Sequence, residues 1–414
     1  MMGKQRNRQT DDQEINYRSR KRWFWLLLRA GMITFLFIFL VHPFLKPEVK
    51  RSTIRVGICG AVHVPAVYTM VDGADLAMLI HRANGLIPGA NLSTINLDKV
   101  LMNDTIYHIP AQGSMQRAET DLNQELQKVF AKAYSSLSDE VSKEFNQEEI
   151  RQINVLYVGF PAVYMLINYY PDFHRISVTH IPHTARFINN DYRLIDVFFT
   201  TGIEATKKIL ENSLMTRIDY YLIQDRLSFI DFVNLVDGLD LNLDAPYAEY
   251  YKLKPGLGHL DGFYTWEYIR FLDFKRIGVK YTPGSGVDVI RTDNFYADAK
   301  SWELAYEQRN HRQRTVIAAL RRAFAKQDKS QQADIIHKII KTFETNLSAQ
   351  LLLDVYQDVL SSPNLTYGNL PGYYDSDNKN QLFFYPDIPS FELLKKEEIR
   401  NTLLKAGKKP HTVY

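Results

Sequence analysis

The sequence predicts an α/β protein whose large domain carries a mixed sheet, preceded by a transmembrane helix and a small strand-and-helix module. Three observations lead there. Between residues 153 and 243, short β-branched runs alternate with helically patterned segments, as a layered α/β domain requires. Trp23 to Val41 is almost wholly apolar, close to the ~20 residues that cross a bilayer as a helix. A length of 414 residues exceeds what one compact domain usually holds.

The apolar span contains only Arg29 and Thr34 as polar interruptions, and Arg29 is near enough to one end to snorkel. Lys4, Arg6, Arg8, Arg18, Arg20, Lys21 and Arg22 precede it, against Asp11, Asp12 and Glu14. The positive-inside rule then leaves a basic tail (1–22) in the cytoplasm and the bulk of the chain outside a single-pass membrane helix (23–42). His42-Pro-Phe-Leu-Lys-Pro47 offers no small-x-small cleavage site, so the segment reads as an uncleaved anchor, ended by Pro43 and Pro47.

Residues 53–111 read as a module of their own. Ile54, Val56 and Ile58 alternate like a half-buried strand, and Gly60-Ala-Val-His-Val-Pro65-Ala-Val-Tyr68 is a turn leading into a second. Ala74 to Ala83 has helical spacing and stops at Asn84-Gly85. Ile95-Asn-Leu97 and a closing strand ending at Ile109-Pro110 follow. This succession resembles the soluble-ligand-binding β-grasp (SLBB) domain, with Ala66 and Asn84 standing where that family has glycines. The resemblance implies binding to a glycan or another envelope protein rather than catalysis.

Residues 112–151 are polar. Leu122, Leu126, Val129 and Phe130 fall at helical spacing, so one or two amphipathic helices are expected, packing against the two domains or spacing them apart. In the large domain, strands are expected at Ile153–Gly159, Val163–Tyr169, Arg175–Ile181, Tyr220–Ile223 and Leu239–Leu243, with helices at Glu204–Leu210 and Phe229–Val236.

Arg309-Asn-His-Arg-Gln-Arg314 packs three guanidiniums and an amide into six residues ahead of the apolar helical run Val316–Leu320. Arginines in a helix's first turn would add to the pull its free N–H groups exert on anions, and a guanidinium fork matches phosphate oxygens in pairs. A solvated basic face is the alternative. A net charge of +3 and the absence of any zinc-knuckle or recognition-helix signature argue against nucleic acid. A single cysteine, Cys59, excludes an intramolecular disulfide and a cysteine metal cluster. The 25 tyrosines and 23 phenylalanines suit a large core or an apolar ligand groove.

In order and spacing, Asn154-Val-Leu-Tyr-Val-Gly159, His180-Ile-Pro182, Phe232-Val-Asn-Leu-Val-Asp-Gly238, Leu260-Asp-Gly262, Tyr268-Ile-Arg270 and Arg309-Asn-His-Arg312-Gln313 resemble the LytR-CpsA-Psr (LCP) family. Residues 152–326 would be the LCP-like layered α/β/α domain and 327–414 the family's C-terminal region. The resemblance implies a membrane-anchored extracytoplasmic protein that takes a glycopolymer from a polyprenyl-pyrophosphate carrier to a cell-wall acceptor, by phosphoglycosyl transfer. It implies a pyrophosphate held by Arg270, Arg309, Arg312 and Gln313, with Arg309 and Arg312 as catalytic positions, Mg²⁺ as cofactor and the prenyl tail in an apolar tunnel. The family's Asp-Thr falls here on Ala162 and Val163, and its Ser-Ile-Pro-Arg-Asp becomes His180-Ile-Pro-His183-Thr184. The metal-binding acidic residues are therefore replaced, and no metal ligand is assigned. Arg186 is close enough in sequence to stand in for the lost arginine. Pro182 keeps His180 and His183 off one helical face, so they read as neutral histidines beside a phosphate rather than metal ligands. A non-catalytic scaffold or regulator that binds the glycan or lipid phosphate is a second reading, and a membrane-tethered structural protein whose domains serve protein contacts is a third.

Overall fold

In the computed structural model the described residues are 51–92, 95–111, a scatter within 122–141, 151–159, 163–187, 192–272, 299–348, 350–355, 364–376 and 382–405. The basic tail, the helix expected at 23–42, Val129, Phe130 and Ala162 lie outside them. Among the described residues, no helix is long and apolar enough to cross a membrane.

The small module contains β1 (Thr53–Gly60), β2 (Ala66–Val71), α1 (Leu76–Arg82) and β3 (Thr105–Ile109). β1 is central, antiparallel to β2 and parallel to β3. Ile54, Val56 and Ile58 are its buried set, as a period of two demands. The Asp75 carboxylate caps α1 by accepting from Met78 N at 2.9 Å. The helix stops at Asn84-Gly85, where Gly85 N donates to Ile80 O at 2.9 Å. Gly85 adopts φ +83°, and a Cβ there would lie 2.4 Å from the Phe199 carbonyl oxygen. Only glycine allows the module this close to the large domain.

The large domain continues through β4 (Ile153–Gly159), β5 (Val163–Tyr170), β6 (Arg175–Ile181), α2 (Leu194–Leu214), β7 (Tyr220–Gln224), α3 (Arg226–Leu235), β8 (Leu239–Leu243), α4 (Ala245–Tyr250), β9 (Gly256–Leu260) and α5 (Gly262–Arg270). Then come α6 (Ala299–Ala325), α7 (Lys329–Ile340), β10 (Glu344–Thr345), β11 (Asn364–Asn369), β12 (Gly372–Ser376), β13 (Leu382–Pro386) and α8 (Ile388–Lys405). The main sheet has the order β10-β7-β4-β5-β6-β11. It is mixed: β4 runs parallel to β7 and β6 parallel to β11, while β4–β5 and β5–β6 are antiparallel.

Both faces of this sheet are covered, which is why its strands read as nearly continuous apolar runs. Leu156, Val158, Tyr164, Leu166 and Ile181 pack with the module and α2. Val155, Met165, Ile176, Val178 and Leu222 point the other way. In the segment expected to be helical, Leu122 and Leu126 are helical and bury against Val197 and Ile209 of α2. Leu137 and Val141 pack with Tyr170 and α8.

Two local expectations change. The helix read at Glu204–Leu210 extends back to Leu194, across a break at Gly202 (φ +79°). Its added part buries Ile195, Phe198 and Phe199, whose aromatic and β-branched side chains hide helical character in the sequence but gain tertiary packing. The helix carrying Arg309–Arg314 starts at Ala299, so that stretch is mid-helix rather than a first turn. The free N–H groups and dipole invoked for it are about three turns away and contribute nothing.

Candidate functional site

Between the sheet and α3, α5 and α6 lies an apolar cavity of about 190 Å³. Its floor follows from strand alternation: Val155, Tyr157 and Gly159 on β4, Val163, Met165 and Ile167 on β5, Ile176 and Val178 on β6. Val316, Ile317 and Leu320 form its roof. Arg321 and Tyr367 are also in the lining, and a group of polar side chains gathers at one end. His180 continues the row Ile176–Val178 on β6 and lies opposite Met165. Gln224 ends β7 beside Gly159, and Gln313 on α6 faces them. The polar end therefore sits at the carboxyl ends of β4, β6 and β7, where open α/β sheets present ligands.

Two of the groups here are short of partners. The His180 ring faces the Gln313 side chain, whose Nε2 donates to the Ile269 carbonyl at 3.3 Å, while the Gln224 Nε2 and the Thr184 hydroxyl are buried without hydrogen-bond partners. Such groups are rare because each costs about 1–3 kcal/mol. Burial, reinforced by the Arg309 charge, pushes the His180 imidazole down to about 3, so it is neutral at neutral pH and keeps one N–H to donate. His183 is lowered in the same way, by burial first and then Arg309. Its ring meets Tyr306 edge-on at 5.6 Å. Arg309, one turn before Gln313, is buried, and its guanidinium lies 5.7 Å from the Tyr306 ring centroid.

Of the residues expected on a pyrophosphate, the structure brings Arg309, Gln313 and His183 together, with His180. Arg270 belongs to the margin of this group: Nη2 donates to Asp98 Oδ2 at 2.7 Å and Nη1 to Glu267 Oε1 at 3.3 Å. Arg312 turns elsewhere. Its Nε and Nη2 donate to Asp244 at 2.6 and 3.0 Å, and its Nη1 to the Phe271 carbonyl at 2.8 Å. Positions 312 and 313 flank 309 as its i+3 and i+4 neighbours but lie about 100° apart on the helix, so Arg312 turns to Asp244 while Gln313 turns to the cavity. Arg186 also goes elsewhere. It stands over the Phe383 and Tyr385 rings at 5.6 and 5.9 Å, with Nη1 3.5 Å from the Tyr385 hydroxyl.

Gln224, Thr184, Tyr306 and Asp98 were not anticipated. A polar residue closing the apolar run Tyr220–Gln224 was a usable signal for Gln224. Asp98 had none, because its role depends on how the module docks.

Among the described residues the donor set does not suit Mg²⁺. After Gly159 the sheet resumes at Val163, and among the described residues no three His, Cys, Asp or Glu side chains are arranged to hold a metal ion. What the site offers is guanidinium and neutral N–H and O–H donors at the end of an apolar slot. That combination suits an anionic head on a hydrocarbon tail.

No family model matches the chain. ComE operon protein 1 of Bacillus subtilis is 34% identical over 64 residues, which is 16% of this chain and 31% of that protein. The chain thus spans about a third of this relative. Among solved structures, it is similar to B. subtilis TagV (TM-score 0.47, 18% identity, covering 64% of this chain and 100% of that one). It is also similar to B. subtilis TagT (0.44, 17%, 61% and 91%), solved as well bound to LIIa-WTA, and to Lin1025 of Listeria innocua (0.43, 16%, 61% and 99%). These solved neighbours are LytR-CpsA-Psr proteins, the family whose motifs the sequence resembles.

Proposed function

We propose that this chain is a membrane-anchored protein of cell-envelope assembly that binds a polyprenyl-pyrophosphate-linked glycopolymer on the extracytoplasmic side. One observation carries the reading. The apolar cavity is lined at one end by Gln224 and Gln313, and the buried His180, Thr184 hydroxyl and Arg309 lie next along β6, the turn after it and α6. The prenyl tail would fill the slot and the pyrophosphate would meet Arg309, His180, Thr184 and Gln224. TagT bound to LIIa-WTA supports a glycopolymer as the ligand class. The β-grasp-like module would offer a contact to other envelope proteins. An anchor at 23–42 would keep the chain at the membrane.

If the chain also transfers the polymer, an acceptor hydroxyl oxygen attacks the phosphorus bearing the sugar. The bond from that phosphorus to the bridging oxygen breaks, prenyl monophosphate leaves, and the hydroxyl proton passes to solvent. Arg309 and Arg270 would neutralise charge on the departing phosphate. A second reading, holding the polymer without transferring it, is favoured by the donor set: among the described residues no three carboxylates or histidines are arranged to retain Mg²⁺ for this chemistry.

The test is native mass spectrometry of the detergent-purified protein for co-purified prenyl phosphates, followed by titration with farnesyl pyrophosphate. Arg309→Lys should weaken binding about tenfold, since a point charge replaces a fork. No retained lipid and no binding by the parent protein would remove the reading. Binding without Mg²⁺-dependent release of prenyl phosphate would leave the non-transferring form.

A further inference from the structure

A second charged cluster lies where the small module meets the large domain. Asp75 and Asp98 come from the module, and Arg226, Glu267 and Arg270 from the large domain. Arg226 Nη1 donates to the Gly73 carbonyl at 2.7 Å, pinning the turn before Asp75. Asp98 reaches across the junction to Arg270 at 2.7 Å, in a pair whose side chains are 13% (Arg270) and 16% (Asp98) exposed. The Asp98 carboxylate also feels the charge of Arg309. It therefore occupies Arg270 as a phosphate oxygen would.

Asp98 is a weakly held occupant. Its Oδ1 is buried and has no hydrogen-bond partner, and a carboxylate normally accepts at both oxygens. Burial raises its carboxyl above the usual range despite Arg270, and the nearby Glu267 carboxylate opposes its charge. A group that is half satisfied and crowded by a like charge is displaced more easily than a fully bonded one.

We infer that Asp98 is a specificity-determining residue of the anion site: an internal competitor that an incoming phosphate must displace from Arg270. This rests on the proposed pyrophosphate reading. Displacement exchanges one carboxylate charge for the charge of the ligand. A prenyl monophosphate gains little by that exchange. A pyrophosphate brings a second phosphoryl group and more acceptor oxygens, so it can meet Arg309 as well as Arg270. The module thereby makes the site discriminate a pyrophosphate-linked lipid from the monophosphate left after its polymer is removed.

The experiment titrates the full chain in detergent with farnesyl pyrophosphate and with farnesyl monophosphate, for the parent, Asp98→Asn and Asp98→Glu. The parent should prefer the pyrophosphate by tenfold or more. Asp98→Asn should bind both ligands more tightly, the monophosphate by the larger factor, so that the preference shrinks. Asp98→Glu keeps the competitor and should behave like the parent, which covers the case in which the asparagine variant fails to fold. Unchanged affinities in Asp98→Asn, a parallel loss for both ligands, or loss of preference in Asp98→Glu would overturn the inference while the site stands. Failure of the parent and both variants to bind either ligand would sink the inference together with the reading beneath it.

Discussion

Arg312→Ala separates a structural arginine from a ligand-binding one. The Arg312 side chain is 3% exposed and makes a two-point contact with Asp244, which is 35% exposed. Its third bond satisfies the Phe271 carbonyl, and its guanidinium lies 4.9 Å from the Phe271 ring centroid. Asp244 in turn caps α4 by accepting from Tyr247 N at 3.1 Å. Breaking a buried pair from one side costs about 3–5 kcal/mol. Asp244 recovers some water because a third of it is exposed, so the loss should fall near the lower end, about 3 kcal/mol. With a urea dependence of about 3 kcal/mol per molar for a chain of this size, the unfolding midpoint should drop by about 1 M. Asp244→Asn should lose less, and the double variant should show coupling above about 1 kcal/mol. Farnesyl pyrophosphate affinity, measured below the transition, should stay close to the parent's. An Arg312→Ala protein with the parent's midpoint and abolished binding would refute this, and would return Arg312 to the pyrophosphate.

Two further outcomes follow from the same packing. Ile317→Trp adds bulk to the cavity roof and should weaken binding of a long prenyl chain far more than of a five-carbon one, since each buried methylene is worth about 0.8 kcal/mol; equal effects on both would mean the tail lies elsewhere. Asp75 is fully buried, and burial lifts its carboxyl to about 7 from 3.8. Between those values the folded state holds the proton and the unfolded state does not, so this residue's contribution to stability is present below about pH 4 and is lost as pH rises to about 7. Asp75→Asn keeps an acceptor for Met78 N and loses that penalty, so it should gain on the parent in urea unfolding from pH 4 to 7 and then level off; a constant difference across that range would refute the assignment.

The strands of the large domain were legible because burial on both faces makes them apolar throughout, and β8 at Leu239–Leu243 coincides with its expected bounds. The small module's strands and helix were legible from alternation and from the Asn84-Gly85 stop. The edges of the main sheet were not. β10 and β11 come from the C-terminal region and pair with β7 and β6; edge strands are short and mixed in polarity, so periodicity does not mark them.

Local pattern, then, settled by itself which residues of each strand share a face and that a cluster of arginines follows on a helix. A period of two or of 3.6 fixes which side chains share a face, and needs no partner element to do so. Which arginine faces the slot was decided by tertiary structure. Arg309 and Arg312 are three residues apart and equivalent as letters, yet Asp244 and the Phe271 carbonyl take one while the other lies beside His183 and Tyr306. Asp98 depended wholly on docking, because it meets Arg270 across a separation of 172 residues. A guanidinium's role is set by which acceptor the fold brings within about 3 Å, and no sequence spacing encodes that distance.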